Sequence, residues 1–264
     1  MRVLRQVLAM ALGLALLVGC ATSGNPSASS AAPTSAGSNS DADSLHVFAA
    51  ASLTAAFQEI GKNFEAAHPG TKLSFNFAGS QQLAQQIAQG APADVFASAN
   101  QSQMKNVVAS GQVAADSAHT FAHNRLVVIY PQDNPAKLST LHDLARPGVK
   151  LVLAAKEVPV GGYALDFLAK ASKLPDYTAS YSATVLANVV SYEENVKAVL
   201  GKVVLGEADA GIVYRSDVSP NSIDQIGTLD IPDQLNTVAD YPIATITGSP
   251  HGELAQSFVG YVLS

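Results

Sequence analysis

Short runs rich in Val, Ile, Phe and Tyr alternate with helical stretches from Leu45 to the C-terminus, and this alternation narrows the possible folds more than any other feature. The strand-like runs are residues 45–49, 73–77, 94–97, 126–130, 151–154, 210–214 and 241–247. Between them, Leu53, Ala56, Phe57, Ile60 and Phe64 repeat with helical spacing, as do Val196, Val199, Leu200, Val203 and Val204, and then Leu254, Phe258, Tyr261 and Val262. Pro69-Gly70, Gly90 and Gly111 stop the first three helices. Pro131 to Pro135 and Arg146-Pro147-Gly148 are turns. Strands and helices in alternation predict an α/β architecture with mixed, mostly parallel sheets.

The residues before Leu45 are of another kind. Arg2 and Arg5 precede an uncharged apolar run, residues 7–18, too short to span a bilayer and of the length of an export signal. Leu17-Val18-Gly19-Cys20 is similar to the lipobox of bacterial lipoproteins. That resemblance implies a signal peptide over 1–19 and lipidation of Cys20, whose two acyl chains give stable membrane anchoring where one is marginal. Cys20 is the sole cysteine, which excludes an internal disulfide and a Cys-based metal site. Residues 20–44 complete the lipidated Cys and a flexible tether of Ser, Ala, Gly, Pro, Asn and Thr, too poor in apolar side chains to order itself. Without Arg2 and Arg5 the chain carries 13 basic against 21 acidic residues, so nucleic acid is not expected as a partner.

Three segments place a hydroxyl or bare backbone where a helix begins: Ala50-Ala51-Ser52-Leu53, Ala78-Gly79-Ser80-Gln81 and Val160-Gly161-Gly162-Tyr163. Helix N-termini present unpaired N–H groups and partial positive charge, so several meeting at one point would bind an anion without Lys or Arg. Ser52 and Ser80 stand at expected N-cap positions, where Ser also serves simply to cap its own helix. Neither following turn holds Asp or Glu, and both turns lie at the carboxyl ends of expected parallel strands, where open α/β sheets bind ligands. The helix after the glycines is expected near residues 163–174. A fourth start, Glu193-Glu194-Asn195-Val196, is awkward beside an anion unless the glutamates point away or the ligand sits over the Val196 N–H alone.

These segments, with Gly90-Ala91-Pro92-Ala93-Asp94-Val95-Phe96 and Gly211-Ile212-Val213-Tyr214, resemble the periplasmic molybdate-binding proteins of ABC importers from about Leu45 onward. The resemblance implies the two-lobed periplasmic-binding-protein fold (type II), with the ligand in the inter-lobe cleft. It implies residues 45–123 plus 240–264 as the first lobe and 124–239 as the second. It further implies ligand contacts at the hydroxyls and N–H groups of Ser52 and Ser80, the N–H groups of Val160 and Val196, and the Tyr214 phenol. Many relatives have Ala where this chain has Val160, and some have Ser where it has Gly79. Relatives usually continue through one more short helix beyond the residues that end this chain. The implied partners are molybdate or tungstate, a membrane ABC permease and the membrane itself through the lipid. The protein is expected as a monomer without enzymatic activity, cofactor or direct metal coordination.

A donor-only pocket suits a fully ionised tetrahedral anion, because the proton of hydrogen phosphate would find no acceptor there, at a cost of about 1–3 kcal/mol. Receptors for sulfate and other oxyanions of the same fold use the same device and form the alternative. A secreted hydrolase fits less well. No Gly-x-Ser-x-Gly elbow, HExxH, Walker motif or GxGxxG occurs, and the six histidines are scattered, with only His119 and His123 four apart. An adhesive module would show repeats or an all-β pattern, and neither is present.

Overall fold

The computed structural model describes residues 44–219 and 222–264; the export signal, Cys20 and nearly all of the tether lie outside them. The chain begins with β1 (Ser44–Ala50), α1 (Thr54–Ala67), β2 (Lys72–Ala78), α2 (Ser80–Ala88), β3 (Val95–Ala97), α3 (Gln101–Ala109) and β4 (His119–Asn124). It continues with β5 (Leu126–Pro131), β6 (Leu151–Ala154), α4 (Pro159–Ala171), α5 (Tyr181–Ala187), β7 (Val189–Glu193), α6 (Val196–Val204), β8 (Ala210–Tyr214) and β9 (Ile226–Asp230). Then come β10 (Ala239–Thr245) and α7 (Gly252–Val262).

Two five-stranded sheets result, ordered β2-β1-β3-β10-β4 and β7-β6-β8-β5-β9. The chain passes from the first sheet to the second between Asn124 and Leu126, and returns between Asp230 and Ala239. In each sheet three strands are parallel: β1 pairs with β2 and β3, and β6 with β7 and β8. The strands beside the crossings, β5 and β10, run antiparallel to both of their neighbours. The parallel share is therefore smaller than the alternation predicts, because strands that carry the chain between lobes run against the rest.

The seven expected strands are present, two with the expected ends and the others with ends shifted by at most two residues. Three more were not expected: β4, β7 and β9. All three are edge strands. An edge strand is covered on fewer sides and needs no continuous apolar run. β7 leaves Val190 and Tyr192 more than half exposed, and β4 reads His-Thr-Phe-Ala-His-Asn. The central strands show the opposite: β8 is buried throughout, and β5 nearly so.

The helical spacing of α1 turns Phe57 and Phe64 into the core, where Phe258 of α7 meets both edge-on, at 6.2 and 5.2 Å between ring centres. Burying each such ring contributes about 1.5–3 kcal/mol. On the opposite face of the first sheet, Leu83 and Ile87 of α2 and Met104 and Val107 of α3 pack with Phe48 and Phe96. Covered on both faces, β1 and β3 are held in place, β2 is paired along the edge of β1, and the carboxyl ends of all three form a platform. Gly90 and Gly111 end α2 and α3 in the left-handed conformation, at φ 86° and 79°, as glycine after a helix commonly does.

Candidate ligand site at the carboxyl ends of both sheets

The carboxyl ends of six strands converge. After β1 comes Ala51-Ser52, after β2 Gly79-Ser80, and after β3 Ala99. From the second sheet, β6 leads to Val158-Pro159-Val160, β7 to Asn195-Val196, and β8 ends at Tyr214. Together with Ala50 and Ala78, these residues line one small cavity. Its free space is about 10 Å³, on the order of one water-sized sphere, so it takes one compact guest rather than an extended molecule. All five residues expected to contact ligand, Ser52, Ser80, Val160, Val196 and Tyr214, lie on its wall and are buried.

Three helix starts supply the wall. Val160 occupies the second position of α4, behind Pro159, which has no N–H to lose at the first. This helix begins at Pro159, not near Tyr163, because Gly161 lets its first turn press against β6. A Cβ there would stand 2.1 Å from the Ala155 carbonyl oxygen. Val196 opens α6, with Asn195 as N-cap accepting from the Ala198 N–H at 3.0 Å. Ser80 opens α2. None of these first turns contains an acid.

Neither serine caps its own helix, contrary to expectation. Gly79 is the N-cap of α2, and its N–H donates to Gln82 Oε1 at 3.1 Å. Ser52 sits inside a single 3-10 turn, Ala51–Leu53, that precedes α1, whose N-cap is Leu53. The hydroxyls are engaged otherwise. Ser80 Oγ accepts the Ala99 N–H at 3.0 Å, and Ser52 Oγ lies 3.0 Å from the Tyr241 hydroxyl.

Tyr214 carries the strongest signal. It is 1 % exposed, and its hydroxyl has no hydrogen-bond partner. The rings of Tyr214 and Tyr241 pack at 5.7 Å, but their hydroxyls do not meet in hydrogen-bond geometry. Burial, then the neighbouring Tyr241 and Tyr163 phenols and Asp217, push the Tyr214 pKa well above its ordinary value; the Tyr241 hydroxyl is near enough to add to this shift, but outside hydrogen-bond geometry it does not satisfy the Tyr214 donor. It therefore stays a neutral donor. Its backbone N–H donates to the buried Asp217 carboxylate at 3.1 Å, which pairs at 2.9 Å with Lys197.

Glu193 and Glu194 both point away from the cavity. Glu193 pairs with Lys202 at 2.7 Å; burial alone would raise its pKa, but hydrogen bonds from Lys202 and Ser191 outweigh it and hold the carboxyl low. Glu194 ties the lobes together: its carbonyl accepts Gln81 Nε2 at 2.9 Å, and its carboxylate accepts Gln82 Nε2 at 3.1 Å. These bonds, Asn195 as the cap and the hydroxyl partners Ala99 and Tyr241 are what sequence reasoning missed. Only Asn195 carried a sequence signal, an Asn just before an apolar helical pattern. Among the described residues, no group of three His, Cys, Asp or Glu side chains could hold a metal ion. His123, one of the histidine pair, instead meets Asp240.

The lining thus contains hydroxyl and amide donors, small apolar groups and no charged side chain. Two α/β lobes meeting over a small, donor-lined cavity define a solute-binding protein. The chain belongs to the bacterial extracellular solute-binding protein family, which it matches over residues 45–264. It is 38% identical over 255 residues to the molybdate-binding protein ModA of Mycobacterium tuberculosis, covering 97% of this chain and 90% of that one. A Clostridium difficile structure described as the substrate-binding domain of a molybdenum ABC transporter superposes with a TM-score of 0.61. It has 31% identity and covers 84% of this chain and 92% of that one. The sulfate-binding protein SubI of M. tuberculosis shares the fold, with a TM-score of 0.73 at 16% identity over 84% of this chain and 82% of that one.

Proposed function

We propose that this protein captures molybdate, and tungstate with it, outside the cytoplasm and delivers the anion to a membrane ABC permease. The observation that carries this reading is the buried, unpartnered Tyr214 hydroxyl in an uncharged, donor-lined cavity. A guest that only accepts hydrogen bonds supplies what that hydroxyl lacks. In this reading the Ser52 and Ser80 hydroxyls and N–H groups, the Val160 and Val196 N–H groups and the Tyr214 phenol hold the oxygens. The protein performs no chemistry, needs no cofactor and acts as a monomer. Residues 1–19 direct export, Cys20 carries the lipid, and residues 20–44 tether the lobes, 45–123 with 240–264 and 124–239, to the membrane.

The alternative is a receptor for sulfate or another tetrahedral oxyanion, since the donor-lined device serves any of them. Calorimetry with molybdate, tungstate, sulfate and phosphate side by side decides between them. Molybdate and tungstate should bind far more tightly than sulfate; equal affinity for sulfate, or none for molybdate, rejects the molybdate reading. For the anchor, Cys20→Ala should shift the protein from the membrane to the soluble fraction or leave an uncleaved precursor. A variant still processed and membrane-bound rejects lipidation.

A further inference from the structure

Each serine of the cavity has a hydrogen-bond partner behind it, and the one behind Ser52 belongs to a chain of side chains that ends at the crossing between the sheets. Asn124, the last residue of β4, has its amide orientation fixed: its Oδ1 accepts the Arg125 N–H at 2.9 Å. Its Nδ2 therefore faces the other way, donating to Ser216 Oγ at 2.7 Å and to the Tyr241 hydroxyl oxygen at 3.2 Å. A phenol has one proton. With its oxygen accepting from Asn124, Tyr241 has its one proton to place, and Ser52 Oγ, 3.0 Å away, stands where it can accept it, although by distance alone either hydroxyl could donate. With the bond in that direction, Ser52 keeps its own single proton for the cavity.

We propose that Tyr241, held by Asn124, is a positioning residue that fixes Ser52 as a hydrogen-bond donor toward the bound anion. Tyr241 is buried and does not line the ligand cavity, so it acts through Ser52 and not by contact. Ser80 shows the same arrangement by other means, since its oxygen accepts a backbone N–H that cannot reverse. A hydroxyl free to rotate could accept from a protonated ligand as readily as donate to an ionised one. Two hydroxyls locked as donors favour anions without protons. Aligned donors of this kind also polarise one another, which strengthens the final bond to a charged acceptor. This inference deepens the oxyanion-receptor reading and rests on it.

The test is a double-mutant cycle read by calorimetry with sodium molybdate, and repeated with sodium phosphate below neutral pH. Tyr241→Phe keeps the ring and removes the relay; it should weaken molybdate binding about tenfold, the size of one hydrogen bond. In a Ser52→Ala background the same change should cost nothing, and discrimination against hydrogen phosphate should fall only where Ser52 is present. Asn124→Ala breaks the chain one step farther out, on a partly exposed side chain, and should show a smaller loss with the same dependence on Ser52. Unchanged affinity in Tyr241→Phe, or equal losses with and without Ser52, overturns the relay even though the wild type binds molybdate. A wild type that binds none of the anions overturns the receptor reading, and the relay with it.

Discussion

A phenol sealed from solvent with nothing to bond carries an unsatisfied donor, a cost of about 1–3 kcal/mol to the ligand-free protein. Tyr214→Phe should therefore leave ligand-free stability equal or higher while weakening molybdate binding by about 1.5–3 kcal/mol. Urea unfolding and calorimetry on the same sample check both signs, and loss of stability without loss of affinity would refute the assignment. Ser80→Ala should behave differently. It strips the Ala99 N–H of its acceptor, so stability and affinity should fall together. At this scale the family resemblance pointed to Ser52, Ser80, Val160, Val196 and Tyr214, all of which line the cavity, while local pattern alone marked the two serines and the glycine turn. What the hydroxyls bond to was not. Ser52 and Tyr241 are 189 residues apart, and no local pattern encodes their meeting.

Helix starts, not charged side chains, furnish the donors, and each start depends on how tightly it seats on its strand. Gly161→Ala would drive a Cβ into the Ala155 carbonyl and lift the first turn of α4. Overpacking of this kind costs about 1–3 kcal/mol, and the displaced Val160 N–H should weaken anion binding as well. Chemical denaturation with anion titration measures both; wild-type values would mean that the close contact relaxes freely. Strongly periodic helices and buried central strands could be read from the sequence, since core burial imposes the apolar spacing. The edge strands could not, because β4, β7 and β9 are covered too little to need it.

Polar contacts join the two lobes across the cleft, among them the Gln81 and Gln82 side chains on Glu194. Gly79 lies at this seam: a Cβ there would come within 2.5 Å of the Glu194 carbonyl oxygen. Gly79→Ala should hinder closure without touching either core. Ligand-free stability should fall by about 1 kcal/mol, because Ala is a poorer N-cap for α2 than Gly. Molybdate affinity should fall at least about tenfold, the signature of a contact made only in the closed form. Unaltered affinity would show that the seam opens to admit the methyl group. The sequence announced two lobes through a family resemblance, but not how they face one another. The bonds that align them join residues 112 and 113 positions apart.

The cavity wall also bears on how the guest leaves. Its one titratable side chain is Tyr214, whose pKa is pushed upward, so no wall group gains or loses a proton across the neutral range. Affinity for molybdate should accordingly stay flat from about pH 6 to 9, since a phenol ordinarily ionises only near pH 10; titrations at several pH values check this. Across that range the wall itself gives protons no lever on the load. Unloading would then be a matter of force and geometry: whatever prises the lobes apart would set the moment of discharge.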